Sequence, residues 1–218
     1  MKTPVSSETL KQHFTYSWWK YLLVALLAFG LVDLLYTMTA YRTPNDKKIE
    51  FYVYGMVNTE KLSGYMEQVR ETEMADMEEM TPLMLLDDNN YGPMQLTTYL
   101  AAGEGDVFLL PRDQFITTAA NSGLLALEED EELMAFFTKA GVSLQSGWRK
   151  NTDTGETHLY GIPQNKLPGL ESYAYAKDGF LCVVSLSGNE ENARKFLRIL
   201  CRDMISAPEG EPSPAPLP

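Results

Sequence analysis

The chain has 218 residues, 44% hydrophobic and 22% charged, so one globular domain with short appended segments is expected. Its formal net charge is −12, and from Thr43 onward 28 acidic residues stand against 14 basic ones. A domain with this excess of acidic residues lacks the basic patch that would neutralise phosphates, so nucleic acid is not an expected partner. Improved solubility is the simpler explanation of the acidity.

The first predicted element is a transmembrane helix over residues 21–40. The stretch Tyr21–Met38 is apolar apart from Asp33, and about 20 helical residues span the hydrocarbon core of a bilayer. Aromatic and basic residues flank it on both sides, as at membrane interfaces. A cleaved signal peptide is the alternative, although no small-x-small cleavage pattern precedes Tyr41. The predicted localisation is the cell membrane, with one pass and the lipid bilayer as a partner.

Asp33 is the one charged residue inside this apolar stretch. An intramembrane carboxylate usually faces protein or water, which predicts contact with a membrane protein partner. A carboxylate that reaches the outer interface, or that is protonated, is the alternative. The lysine and arginine counts on the two sides of the span are equal, so charge alone does not decide the orientation.

An α/β domain is predicted over residues 49–206, between a linker at 41–48 and a disordered Pro-rich tail at 207–218; residues 1–20 form a short cytoplasmic segment. Strand-like runs alternate with helix-like runs, which is typical of a three-layer α/β/α domain with a mostly parallel sheet. The predicted elements are strands at Ile49–Val57, Pro82–Leu86, Asp106–Leu110 and Gly179–Leu186, helices at Glu60–Glu79, Gly92–Ala102, Arg112–Ala120, Glu129–Lys139 and Asn189–Ile205, and a loop or hairpin at Val142–Ile162.

Cysteine and histidine usage gives no sign of a metal or cofactor. Cys182 and Cys201 match no zinc or redox motif, and both a disulfide and two buried thiols remain open. His13 and His158 form no cluster in the predicted topology. No nucleophile elbow or glycine-rich phosphate loop is present, so the protein is expected to be non-enzymatic, with no cofactor and no metal.

Three segments resemble the extracellular solute-binding proteins of bacterial ABC transporters, of the sugar-binding type: Gly105–Leu127, Gly155–Pro163 and Ser187–Leu200. The resemblance implies an extracytoplasmic domain on a tethered cell-surface protein. Members of that family have two lobes that close on the ligand. Too few residues separate Pro163 from the last predicted strand to form a second lobe, so the expectation is a single periplasmic-binding-protein-like lobe.

In open parallel sheets, ligands bind beyond the carboxyl ends of the strands. The polar and aromatic residues of the loops expected there could bind a sugar through hydrogen bonds, with a tyrosine stacked on its apolar face. The candidate ligand-binding residues are Asn58, Asp88, Asn89, Tyr91, Arg112, Asp113, Gln114 and Tyr160. Ordinary turn chemistry is the alternative, because Asp and Asn favour turns for backbone reasons.

These observations predict a membrane-tethered, non-enzymatic, extracytoplasmic binding module. Its expected partner is a small solute such as a sugar, or a surface protein. The alternative is a structural or interaction subunit of a membrane complex, with no small-molecule ligand, in which the helix and Asp33 contact a membrane protein. A hydrolase is a third hypothesis, which would require two carboxylates on either side of a deep cleft.

Overall fold

The structure is a computed structural model that describes residues 7–86 and 91–206, with few of the side chains before Trp18. The chain divides into two compact units, Met1–Arg42 and Thr43–Pro218.

The first unit is one long helix, α1 (Ser7–Thr39). Its part Trp18–Thr39 is long and apolar enough to cross a membrane, with a mean hydropathy of 2.0 and none of it buried. A membrane span and a signal sequence both have these properties. The predicted span at 21–40 falls within this helix except for its last residue. Asp33 lies inside it, and its main-chain oxygen accepts a hydrogen bond of 2.8 Å from Thr37 Oγ1.

The second unit contains nine strands and five helices among the residues described. They are β1 (Lys48–Tyr54), β2 (Met56–Val57), α2 (Thr59–Thr72), β3 (Glu79–Leu85), α3 (Tyr91–Ala102), β4 (Val107–Leu110), α4 (Arg112–Ala120), α5 (Glu131–Lys139), β5 (Trp148–Lys150), β6 (Thr157–Leu159), β7 (Ile162–Pro163), β8 (Ala174–Tyr175), β9 (Phe180–Val183) and α6 (Glu190–Met204). The central sheet has the order β3-β1-β4-β9-β7. Strands β3, β1 and β4 are parallel, whereas β9 runs antiparallel to β4 and β7. Two small antiparallel pairs, β2–β8 and β5–β6, lie outside this sheet.

Helices cover the central sheet on both faces. Successive side chains of β1 alternate between two buried clusters, because strand side chains point to opposite faces in turn. Phe51 and Val53 belong to one cluster, with residues of α2, α5 and α6. Tyr52 and Tyr54 belong to the other, with residues of α3 and α4. The prediction of an α/β domain with three layers and a mostly parallel sheet is confirmed.

Several predicted boundaries around β3 were wrong. Helix α2 ends at Thr72 and not at residue 79, because Met74 and Met77 turn inward and are buried in the core. Strand β3 begins at Glu79 and passes through Pro82, which was expected to open it. Since β3 is an edge strand, the missing amide hydrogen of Pro82 breaks no hydrogen bond between strands.

The closing helix α6 begins at Glu190, one residue after the predicted start, and the side chain of Asn189 before it makes no capping hydrogen bond. Its amide donates instead to the main-chain oxygen of Lys48 at 2.7 Å and to Asp106 at 3.2 Å. Of the two open alternatives for the cysteines, the structure has two buried free thiols, and burial raises the pKa of both Cys182 and Cys201.

Candidate functional site

A polar cavity of about 250 Å³ lies where β4 and β7 end and β9 begins. Arg112 is the first residue of α4 and is separated from the end of β4 by Pro111 alone. Phe180 opens β9 and pairs with Leu110 on one side and Pro163 on the other. The cavity therefore lies at the carboxyl end of a parallel strand, where open α/β sheets bind ligands. The residues that line it are Arg112, Ser146, Arg149, Pro163, Gln164, Asn165, Glu171, Tyr175, Ala176, Asp178, Gly179 and Phe180.

Arg149 is the half-buried cation of the cavity. It lies on β5, and its guanidinium carbon is 5.3 Å from the centre of the Phe115 ring and 5.8 Å from that of Phe180. Those two rings are stacked on each other, with centres 4.2 Å apart. Burial and the neighbouring charge of Arg112 both lower the pKa of Arg149. The two stacked rings therefore hold the guanidinium of Arg149 at the cavity, where it remains in contact with the solvent.

Gln164 holds the opposite wall in place. Its side chain is almost fully buried, and its Nε2 donates to the main-chain oxygen of Ala174 at 2.8 Å. Its Oε1 accepts a hydrogen bond of 3.1 Å from the amide of Ala176. A Cβ at Gly179 would lie 2.6 Å from that same oxygen, so this close approach requires glycine. Gln164 therefore ties its own segment to the main chain of Ala174 and Ala176.

The structure brings one of the predicted ligand-binding residues, Arg112, to the cavity. Asp113 and Gln114 follow it in the first turn of α4 but do not line the cavity. Asn58 caps α2, where its Oδ1 accepts a hydrogen bond of 3.1 Å from the amide of Lys61. That contact is the turn chemistry considered as the alternative.

The remaining candidates lie away from the cavity. Tyr91 is the first residue of α3 and is exposed beside Leu86 and Met94. Tyr160 is buried, and its hydroxyl accepts a hydrogen bond of 3.3 Å from Asn151, so its ring belongs to the core and offers no surface for stacking a sugar. Asp88 and Asn89 lie outside the described residues.

Sequence reasoning missed Arg149 and Gln164. Arg149 lies in the segment predicted as a loop or hairpin, and its contact with the cavity depends on the pairing of β5 with β6. Gln164 directly follows Pro163, the last residue of a segment that carried the family resemblance. The position of a glutamine directly after that segment was a signal that could have indicated it.

A second polar cluster lies at the opposite, amino end of the parallel strands. Asp106 is buried there and accepts a hydrogen bond of 2.9 Å from the amide of Glu50, besides that of Asn189. Burial raises the pKa of Asp106 to about 6, against the opposing effect of these donors. Among the described residues, no group of three or more His, Cys, Asp or Glu side chains is placed to hold a metal ion.

Fold and cavity together define a mixed α/β protein with a mostly parallel sheet and a polar cavity at a carboxyl edge. No family model matches the chain, and no curated protein does. Among solved structures it is similar to "Extracellular solute-binding protein family 1 from Alicyclobacillus acidocaldarius subsp. acidocaldarius DSM 446", with a TM-score of 0.37 and 19% sequence identity. The similarity covers 53% of this chain and 27% of that protein. The matched part is thus about a quarter of that protein's length.

Proposed function

We propose that the protein is a membrane-tethered, non-enzymatic, extracytoplasmic binding module whose recognition site is the cavity beside Arg112. The observation that carries this proposal is the position of a polar cavity at the carboxyl end of β4, lined also by Pro163 of β7 and Phe180 of β9 in the central sheet. A preformed cavity of this kind lets a ligand bind without the cost of ordering a loop.

The dimensions of the cavity favour a small solute. Its volume of about 250 Å³ is slightly below the range of roughly 300–1,000 Å³ that accommodates drug-sized ligands. Most of its lining side chains can donate or accept hydrogen bonds, and Phe180 and Tyr175 add aromatic surface. A monosaccharide-sized polar molecule suits these properties, and a solute-binding module remains our preferred function.

A blocking substitution tests this role. Ser146 is exposed and lines the cavity, so Ser146→Trp is expected to fill it; Ser143→Trp, three residues earlier and outside the lining, is the matched control. The full chain in detergent would be screened against small sugars, organic acids and amino acids by ligand-detected NMR. Binding that disappears with Ser146→Trp and survives Ser143→Trp would support the proposal. The absence of any such compound would contradict it.

The tethering helix is supported by the length, hydropathy and exposure of Trp18–Thr39. Membrane insertion and the extracytoplasmic position can be tested together by cysteine labelling. Both native cysteines are fully buried, so an exposed Ser143→Cys would supply the reactive thiol. A membrane-impermeant maleimide should label that variant in intact cells and leave the parent chain unlabelled. Labelling that requires lysis would overturn the extracytoplasmic placement.

An interaction subunit is the second candidate, and Asp33 favours it. A carboxylate inside an otherwise apolar helix costs energy in a bilayer unless a protein or water contacts it. We expect Asp33→Leu to release a co-purifying membrane protein, whereas Val32→Leu, its neighbour in the same helix, should retain it. If both variants retain the same proteins, Asp33 does not mediate a partner contact.

A further inference from the structure

The arginines of the second unit fall into two groups. Four of them form ion pairs: Arg70 with Glu67, Arg194 with Glu129, Arg198 with Asp130, and Arg202 with Glu73. Arg112 and Arg149 form none with any described carboxylate. Since acidic residues outnumber basic ones two to one after Thr43, carboxylates are in excess, and yet these two neighbouring arginines share none.

Most of the hydrogen-bond donors of the Arg149 guanidinium have no partner among the described residues. A guanidinium carries five N–H donors, and the hydrogen bond found for it among the described residues is from Nη1 to the main-chain oxygen of Trp148, at 2.6 Å. Its half-buried position removes part of its hydration, and Arg112 repels it. An oxyanion in the cavity would accept the remaining hydrogen bonds and neutralise that repulsion.

Two carboxylates also line the cavity, those of Glu171 and Asp178. Both residues are exposed, so solvent screens them more than it screens the half-buried Arg149. Neither forms an ion pair with a guanidinium. The two guanidinium groups are therefore not neutralised by these carboxylates, which could contact a cationic group on the same ligand.

We infer that the cavity selects small ligands bearing an oxyanion, a carboxylate or a phosphate, which Arg112 and Arg149 hold together. This inference rests on the proposed function, since it names the ligand class of the same cavity. Planar guanidinium groups match both oxyanions through paired hydrogen bonds. The volume of about 250 Å³ limits the ligand to a small molecule, about the size of a monosaccharide.

The test compares probes by isothermal titration calorimetry on the full chain in a non-ionic detergent. Inorganic phosphate and succinate separate the two oxyanions, glycine adds a cationic group to a carboxylate, and glucose is the neutral probe. We expect phosphate or one of the two carboxylates to bind, and glucose to bind more weakly. Arg112→Gln should weaken binding about tenfold or more, the loss expected for a charge-assisted hydrogen bond.

Two further variants distinguish a specific contact with the ligand from a general effect of charge. Lys177→Gln removes the same charge from an exposed residue outside the lining and should change affinity less than about twofold. Arg149→Lys keeps the positive charge but removes the planar fork, and it too should weaken binding about tenfold. An equal loss with Lys177→Gln would reduce the effect to general electrostatics and overturn the inference.

The outcomes also separate the inference from the proposed function. Glucose binding that Ser146→Trp abolishes and Arg112→Gln leaves intact would overturn the inference while the binding module stands. Oxyanion binding that Ser146→Trp does not affect would overturn it as well, because the anion would lie elsewhere. If none of these probes and no other small solute binds, both proposals fail.

Discussion

Polar side chains at the two ends of the parallel strands differ in whether the protein supplies their partners. At the amino end, Asp106 accepts hydrogen bonds from Glu50 and Asn189, and Lys48 pairs with Glu50 at 2.9 Å. Every buried polar side-chain atom of the described residues has a partner of this kind. At the carboxyl end, Arg112 and Arg149 line one cavity, and neither has an ion-pair partner among the described residues.

This difference separates stability from recognition. Where the chain supplies all the partners, a polar group contributes to folding, and removing it leaves buried donors unsatisfied. Where the chain leaves partners out, the groups repel each other, and their hydrogen bonds remain available to a ligand. Substitutions at the amino end should therefore change the free energy of unfolding, and substitutions at the carboxyl end should change binding.

Asp106→Ala is expected to have the largest effect on stability. It removes the acceptor for the amide of Glu50 and for the side chain of Asn189, both in the interior of the unit. Unsatisfied buried donors cost about 1–3 kcal/mol, so we expect a loss of about 2 kcal/mol at pH 7. Urea denaturation measures it. Asp113→Ala, on an exposed carboxylate at the other end of the strands, should cost less than about 1 kcal/mol.

The pH dependence of the same carboxyl group gives the second effect. Burial raises the pKa of Asp106 to about 6 in the folded state, above its ordinary value of 3.8. The folded state therefore binds this proton more tightly than the unfolded state does, and the stability so gained is lost as the pH rises from about 4 to about 6. The cost of Asp106→Ala should thus be larger at pH 4 than at pH 7, by about 2–3 kcal/mol. A pH-independent cost would mean that the donors cancel the effect of burial.

Several strands and helices of the central sheet could be predicted from local sequence patterns. The four-residue apolar run at β4 and the amphipathic helix after it are strong signals of short range, and α4 has the predicted bounds. The end of α2 was not predictable, because Met74 and Met77 fit a helical pattern and are buried outside the helix. Boundaries depend on such tertiary contacts, which periodicity does not contain.

The candidate site was predictable in place but not in composition. The rule that ligands bind at the carboxyl ends of parallel strands led to Arg112, two residues beyond β4. Gln164 reaches the cavity through the short strand β7, which pairs with the distant strand β9. Arg149 lies on a local hairpin, but its place at the cavity depends on the rings of Phe115 and Phe180, which are far away in sequence. Tyr160 was chosen for its ring, whereas its burial depends on packing against residues far away in sequence. Asn58 was chosen as a polar loop residue, whereas it caps α2, a role that asparagine side chains commonly have at helix starts.

The hairpin β5–β6, which carries Arg149, offers a smaller test. His158 on β6 lies 2.5 Å from Glu128, and this hydrogen bond raises the pKa of His158. A raised pKa in the folded state gives stability that is present below pH 6.5 and lost as the pH rises through the folded value. His158→Gln should lower the melting temperature at pH 5.5 and leave it nearly unchanged at pH 9. Partly exposed pairs contribute about 0.2–1 kcal/mol, so a loss that persists at pH 9 would indicate packing instead.

Arg112→Gln should have the smallest effect on stability and so defines the contrast most sharply. Arg112 is exposed and forms no ion pair with a described residue, and its charge repels Arg149. We expect the free energy of unfolding to change by less than about 0.5 kcal/mol, in the stabilising direction if at all.

Arg202→Gln is the matched control on α6. It loses two hydrogen bonds to Glu73, of 2.6 and 2.8 Å, and should destabilise the protein by up to about 1 kcal/mol. A larger loss for Arg112→Gln than for Arg202→Gln, measured by urea denaturation, would make Arg112 a structural residue and remove the distinction between the two ends.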